Sequence, residues 1–386
     1  MTINFDNSPE RRGSDSSKWT KYGPDVLPMW VADMDFPAAD VILDAVHKRV
    51  SHGFFGYGNG FPELKTVICE RMKDRYDWDV MPDQVILYPG VISGFNSVHR
   101  AVAEEGDGVL VQTPMYPPIL GAPKNHAMQV NLAELALTEQ AGNLRYEIDF
   151  DAFEAAITPQ TSLFLLCHPH NPIGRSYTPD ELTRMAEICL KHDVVICSDE
   201  IHCELMMDGL KHTPMASLSE EIGQRCITLM APSKTFNLPG LGFSFAIIQN
   251  PELYAKLETA KLGIVPHYNV LGATAATAAY TQGSEWHEAL LAYLLKNRDT
   301  LVDFVNNELP GVRTTVPEAT YLGWLDCRES GIDGDPFEFF LDNAKVALNA
   351  GPTFGTAGDG FVRLNFGCPR ERLLEGLNRM KVAMLA

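Results

Sequence analysis

The chain has no apolar run approaching the ~18 residues of a membrane-spanning helix. Its opening stretch, Met1 to Ser17, is polar and charged, without the apolar core of a signal peptide. Positive charge is scarce: 31 lysines and arginines stand against 50 aspartates and glutamates, a formal net charge of −19. So acidic a chain disfavours nucleic acid and anionic membrane as partners and suits the handling of small molecules. The eight cysteines form no CxxC pair, and Cys167, Cys189 and Cys197 sit inside apolar runs. They read as reduced core residues of a cytoplasmic protein, not as disulfides or a zinc site. Internal repeats and low-complexity segments are also missing. What remains is ordinary globular composition, 386 residues that are 45% hydrophobic, enough for a large core and two domains.

From about residue 84 to 248, short apolar β-rich runs alternate with helix-like stretches. The runs are Gln84–Tyr88, Gly108–Gln112, Ser162–Cys167, Asp193–Ser198, Cys226–Met230 and Gly242–Ile248. Between them, Thr178–Lys191 has helical spacing of Leu182, Met185, Ala186, Cys189 and Leu190, with Thr178 as cap and Pro179 at the first position. Near-continuous apolar strands alternating with helices predict an α/β fold with a mostly parallel central sheet covered on both faces. The last hundred residues read as a smaller α+β unit. A long helix (Glu285 to Glu308) precedes strands at Val312–Val316 and Tyr321–Leu325, a helix near Pro336–Leu348, a strand at Phe361–Phe366 and a last helix from Pro369 to Met384. The expected division is an N-terminal segment (1–45) packing with the small domain, a large domain (46–283) and a small C-terminal domain (284–386). The first forty residues show no sheet pattern of their own.

Ligands of open parallel sheets bind beyond the carboxyl ends of the strands, so candidate site residues are sought just past each run. After Cys226–Met230 comes Ser233-Lys234-Thr235: a solvated lysine, or a desolvated amine that can form a Schiff base. After Gln84–Tyr88 a glycine-bounded turn enters a helix at Val91, Ile92 and Ser93, either a plain turn or a cradle of N–H groups for a phosphate. After Gly108–Gln112 the prolines around Tyr116 present its ring rigidly, for surface packing or for stacking on an aromatic cofactor. His168-Pro169-His170-Asn171-Pro172 is turn-like, yet displays the Asn171 amide. Asp199 ends another apolar run and needs a cation, whether a salt-bridge partner or a protonated pyridine nitrogen. An amine, a carboxylate, an amide, an aromatic ring and a phosphate-type turn in one layer are the set that pyridoxal 5′-phosphate requires.

The chain resembles the fold-type I pyridoxal-phosphate enzymes of the aminotransferase class I/II superfamily over nearly its whole length. It is most similar to the cystathionine β-lyase/cysteine C–S lyase subgroup, the MalY/PatB type. The likeness is carried by Trp30-Val31-Ala32-Asp33-Met34-Asp35-Phe36, Phe55-Gly56-Tyr57, His170-Asn171-Pro172-Ile173-Gly174-Arg175, Ser198-Asp199-Glu200-Ile201-His202, Ala231-Pro232-Ser233-Lys234-Thr235-Phe236-Asn237 and Arg363-Leu364-Asn365-Phe366. The resemblance implies that Lys234 tethers the cofactor and that Asp199 faces the pyridinium nitrogen. It further implies that Asn171 and His202 reach the ring hydroxyl, and that Tyr116 stacks on the ring. Phosphate binding then rests on the turn of Val91, Ile92 and Ser93, on Ser233, on Tyr57 or on an unidentified cation; Arg363 clamps the substrate α-carboxylate, and Ala32 and Asp33 border the substrate. Tyr57 resembles a tyrosine that reaches the phosphate of the neighbouring subunit, implying a homodimer with shared active sites. Two departures stand out. Many aminotransferases carry an arginine eight residues after the lysine, where this chain has Gly242, and His168 stands where an asparagine is expected, adding a titratable group near the cofactor.

The implied reaction is β-elimination at a cysteine S-conjugate such as L-cystathionine, releasing a thiol, pyruvate and ammonia, with Lys234 as the base. An aminotransferase is the enzymatic alternative, and a regulatory binding protein that keeps the fold is an alternative of another class. A metal hydrolase built on His168, His170 and His202 lacks the helical i, i+4 ligand pair, and no metal is expected.

Overall fold

The computed structural model describes residues 3–386. Its central sheet has seven strands: β1 (Val85–Tyr88), β2 (Gly108–Thr113), β3 (Gln129–Glu134), β4 (Thr161–Cys167), β5 (Val195–Asp199), β6 (Cys226–Met230) and β7 (Ser244–Ile248). Their order is β1-β7-β6-β5-β4-β2-β3. All neighbours pair in parallel except β7, which is antiparallel to both β1 and β6. The six apolar runs are therefore six strands. The sequence pattern missed β3 because this edge strand has only one fully buried residue, Ala133, and so no continuous apolar run.

Period-two alternation assigns each strand residue to a face. Leu163, Leu165 and Cys167 of β4, Val195 and Cys197 of β5, and Ile227 and Leu229 of β6 pack against helix α1 (Val91–Val102) through Val91, Phe95 and Val98. Phe164, Leu166, Ile196 and Met230 face the other way, toward Leu182, Met185, Ala186 and Cys189 of helix α2 (Pro179–Lys191). Each such fully buried aliphatic side chain contributes about 1.5–3 kcal/mol of transfer free energy. Helix α2 begins as its sequence predicts. Thr178 accepts from the Glu181 amide and Glu181 accepts from the Thr178 amide, with Pro179 at the first position.

A second, antiparallel sheet holds β8 (Arg313–Thr314), β9 (Leu322–Asp326), β10 (Asn349–Ala350) and β11 (Phe361–Asn365), in the order β8-β9-β11-β10. Helices α3 (Ser284–Glu308) and α4 (Arg370–Leu385) share a core with it. Phe5, Trp19, Leu27, Met29, Met34 and Phe36 of the N-terminal segment are buried in that same core.

Two expectations need correction here. The helix expected near Pro336–Leu348 is a single turn, Pro336–Phe339, followed by a wide π-type turn, Phe340–Ala344. Lys345, at φ +54°, ends the helical path, and Val346–Ala347 then form a short strand. That strand pairs in parallel with Leu27–Pro28, so the N-terminal segment does contribute a ladder, made with a partner more than three hundred residues away.

Candidate active site

The strand ends are level. Cys167, Asp199 and Leu229 are register partners across β4, β5 and β6, so the segments beyond them open into one space. The Tyr88 end of β1 and the Ser244 start of β7 pair at the same edge. The result is a cavity of about 410 Å³ lined by Val91, Ile92, Ser93, Tyr116, Asn171, Asp199, His202, Ser233, Lys234 and Ala32. Ten of the residues singled out in the sequence thus meet on one wall.

Lys234 stands on the single helical turn Pro232–Thr235 that leaves β6. Its amine donates to the Ala32 carbonyl at 2.6 Å. Desolvation, reinforced by the Arg363 guanidinium and opposed by Asp33 and Asp199, brings its pKa down to about 8. Asp199 ends β5 on the α1 face of the sheet. It is 6% exposed, accepts only a 3.2 Å bond from the Ile201 amide, and makes no ion pair among the described residues. Burial therefore raises its pKa to about 7, with Lys234 and the Ile201 amide acting in the opposite direction. A buried carboxylate lacking a cation is what a protonated pyridine nitrogen would complete.

Asn171 accepts from Arg363 Nη1 through Oδ1 at 2.9 Å, which leaves its amide hydrogens for the cavity. His202 is buried with Nδ1 unpartnered, and burial together with the nearby Lys234 and Arg363 charges keeps it neutral. Tyr116 precedes the helix Pro117–Asn125, and burial raises its phenol pKa. At the opposite end, the first turn of α1 begins after Gly90, and the amides of Val91, Ile92 and Ser93 point out of a twelve-residue helix. Among the described residues, Lys234 is the single cation on the cavity wall. Gly242 lines it too, at φ +55°, where an added Cβ would lie 3.2 Å from the Pro89 carbonyl. A phosphate would accordingly be held by helix amides and the Ser93 and Ser233 hydroxyls, without a guanidinium. The unpaired carboxylate, the amine with depressed pKa and the free helix terminus fit pyridoxal 5′-phosphate.

Arg363, on β11, reaches the site from the second sheet. It is 4% exposed, bonds to Asn171, to the Trp30 carbonyl (3.1 Å) and to Asn349 Oδ1 (2.6 Å), and lies 4.9 Å over the Phe354 ring. No carboxylate pairs with it among the described residues, its Nε is unpartnered, and burial pulls its pKa down to about 10.

Three sequence candidates lie elsewhere. The Asp33 side chain turns to Arg11 (2.8 Å), and its neighbour Ala32 is the residue on the cavity wall. Tyr57 is 92% exposed and borders a separate hollow with Phe55 and His267, away from Lys234 of its own chain. His168 is not near the cofactor space, contrary to the expectation from its place in the sequence. One residue beyond Cys167, it points through the opposite face of the sheet. There its Nε2 meets the Thr213 carbonyl at 3.2 Å and its ring stacks on His212 at 4.5 Å. His212 in turn bonds Glu200 Oε2 at 2.7 Å.

Two further side-chain amides and a phenol, none legible as site residues in the sequence, fix the strap Trp30–Phe36 over the site. Asn365 Nδ2 donates to the carbonyls of Val31 and Asp33, and Asn237 Nδ2 to those of Met34 and Phe36. Asn237 Oδ1 accepts from the Met34 amide, and Tyr321 donates to the Ala32 carbonyl. The available signal was the buried amide that ends β11, Asn365.

Residues 24–380 match the family Aminotransferase class I and II, and the chain belongs to it. It is 40% identical to "Cystathionine beta-lyase PatB" of Bacillus subtilis (strain 168), over 99% of this chain and 100% of that protein. Among solved structures it superposes on OvoB with a TM-score of 0.95 at 44% identity, each chain covered completely. It superposes on the PLP-bound C-S lyase from Staphylococcus hominis with a TM-score of 0.92 at 33% identity, covering 99% of both chains.

Proposed function

We propose that this chain is a pyridoxal-phosphate-dependent carbon–sulfur lyase that carries out β-elimination on cysteine S-conjugates of the L-cystathionine type. The observation that carries the reading is the unpaired Asp199 carboxylate sharing one cavity with the Lys234 amine of lowered pKa, while the buried Arg363 guanidinium, without a carboxylate partner among the described residues, bonds to Asn171 of that wall. Similarity to cystathionine β-lyase PatB and to a C–S lyase supports the choice of reaction.

When bound, the cofactor supplies an aldehyde that captures the substrate amine and a cationic ring that draws electrons from Cα. Asp199 keeps that ring protonated, and Asn171 with neutral His202 addresses its hydroxyl. The amides of Val91, Ile92 and Ser93 with Ser93 and Ser233 hold the phosphate. Arg363 grips the α-carboxylate, which fixes the face from which Cα–H meets Lys234. With a pKa of about 8, roughly a quarter of Lys234 is the neutral amine at pH 7.5, so it can take the Cα proton. The Cβ–S bond then breaks, helped by a thiol leaving group whose pKa is near ~8.5. Phe95, Phe243 and Ile201 keep the wall apolar.

The working unit in this reading is a homodimer. Tyr57 is exposed beside Phe54 (74% exposed) and Phe55 (57% exposed), an aromatic group that a second copy would cover. Across that interface Tyr57 reaches the partner's phosphate.

Purified protein supplied with L-cystathionine alone is expected to release pyruvate and homocysteine over many turnovers. Turnover that stops after one equivalent and resumes with an added keto acid would replace the lyase reading by transamination.

A further inference from the structure

The Ala32 carbonyl carries two donors: Lys234 Nζ at 2.6 Å and the Tyr321 hydroxyl at 2.9 Å. A carbonyl oxygen has two lone pairs, so both bonds can exist together, and each weakens the oxygen as acceptor for the other. The surroundings leave this carbonyl little freedom. Asn365 holds the carbonyls of Val31 and Asp33 on either side of it, at 2.7 and 2.8 Å, and Arg363 holds that of Trp30.

Tyr321 is placed with equal care. It is fully buried, with its ring edge-on to His202 at 6.2 Å, and a side chain at Gly367 would come within 3.2 Å of the ring. The preceding residue, Thr320, has φ +74°, an uncommon backbone for a β-branched residue and the kind of local cost found where a neighbour must be aimed.

We propose that Tyr321 is a positioning residue for Lys234: its hydroxyl occupies one lone pair of the Ala32 carbonyl and so fixes the place and strength of the acceptor that receives the lysine amine whenever that amine is free. The inference rests on the reading of Lys234 as tether and base. In the tethered state the carbonyl keeps Tyr321 and is never left buried without a partner. In the freed state it takes a hydrogen bond from the amine, whose lone pair can then be directed to the substrate. The charged and titratable groups around Lys234 are Asp33, Asp199, Arg363 and His202; Tyr321 also lies near Asp33, Arg363 and Tyr116, and its hydroxyl donates to the Ala32 carbonyl.

The test compares wild type with Tyr321→Phe, which keeps the ring. In cofactor-free full-length chain, brief acetic anhydride labelling across pH 6–10, read by mass spectrometry, reports the protonation of Lys234. Without the hydroxyl the carbonyl becomes the better acceptor and holds the ammonium form. The Lys234 midpoint should then rise by about half a unit to one unit, lowering labelling at pH 7.5 about 2.5-fold to 8-fold. Exposed lysines should label as before. In the holoenzyme, the acidic limb of kcat should move up with it and the isotope effect for Cα-deuterated substrate should grow, while KM stays within about twofold. A ring-fluorinated tyrosine at 321, a stronger donor that preserves the fold, should shift the midpoint the other way. Unchanged labelling and an unchanged isotope effect in both variants, or shifts of the same sign in both, would overturn the proposal. A labelling shift without pyruvate release would leave it standing and refute the lyase reading instead.

Discussion

Replacing Asp199 by asparagine should make the cofactor-free protein more stable while making it a worse binder of its cofactor. In the free chain the carboxylate is buried and unpaired, and its pKa stands at about 7 against an ordinary 3.8. That displacement is worth about 4 kcal/mol, the cost of keeping Asp199 ionised in the fold without a cation. Water in the cavity offsets part of it, so about 2–4 kcal/mol is expected. The sign comes from proton linkage. With the folded-state pKa above the unfolded one, the folded protein retains a proton that the unfolded chain has released. The resulting stability is complete below about pH 4 and is lost as pH rises through 7.

Asparagine does not titrate, so the two proteins should be about equally stable near pH 4. At pH 8 the variant should be the more stable by about 2–4 kcal/mol. Urea denaturation of the cofactor-free proteins at a series of pH values reads this directly. Cofactor affinity should move the opposite way, about 30-fold to 1000-fold weaker, because the same free energy is no longer recovered when a cationic ring nitrogen arrives. If Asp199→Asn gains nothing at pH 8, the carboxylate is already compensated in the free protein and its burial carries no such cost. If affinity changes less than about threefold, Asp199 does not face the ring nitrogen.

Two further substitutions probe the remaining contacts. Arg363→Lys preserves the charge but loses the fork that spans Asn171, Asn349 and the Trp30 carbonyl, so KM for amino-acid substrates should rise about 10-fold to 100-fold with the visible absorbance of bound cofactor unchanged. Equal loss of both would make Arg363 a structural residue. Tyr57→Phe keeps the ring that a second copy would cover and removes only the hydroxyl, so it should leave the dimer intact yet weaken cofactor binding about tenfold. An unaltered affinity would remove Tyr57 from the phosphate.

The legible part of this molecule comes from one physical fact. Strands covered on both faces hold few polar residues, so the first cluster of polar groups after each apolar run marks both the strand end and the wall of the cavity. Lys234, Asp199, Asn171 and Tyr116 were readable for that reason, and the level ends of β4, β5 and β6 bring three of them together. β3, whose exposed edge breaks the apolar run, and Val346–Ala347, whose pairing with Leu27–Pro28 has no local cause, carry no such signature.

His168 shows where proximity in sequence misleads. Adjacent residues at a strand end point to opposite faces, so Cys167 lines the cavity while His168 joins His212 and Glu200 behind the sheet. Glu200 succeeds Asp199 under the same rule: it accepts from Ser198 (2.8 Å), His212 (2.7 Å) and the Met215 amide (3.0 Å) on the rear face. Parity along β5 separates the two carboxylates into different jobs. Asp199 is left without a cation on the cavity side, whereas Glu200 is saturated with donors and ties the loop through His212 to the back of the sheet. Loosening Glu200 would reach the cavity only through the backbone it shares with Asp199, so its rigidity matters to the site although it lines none of it.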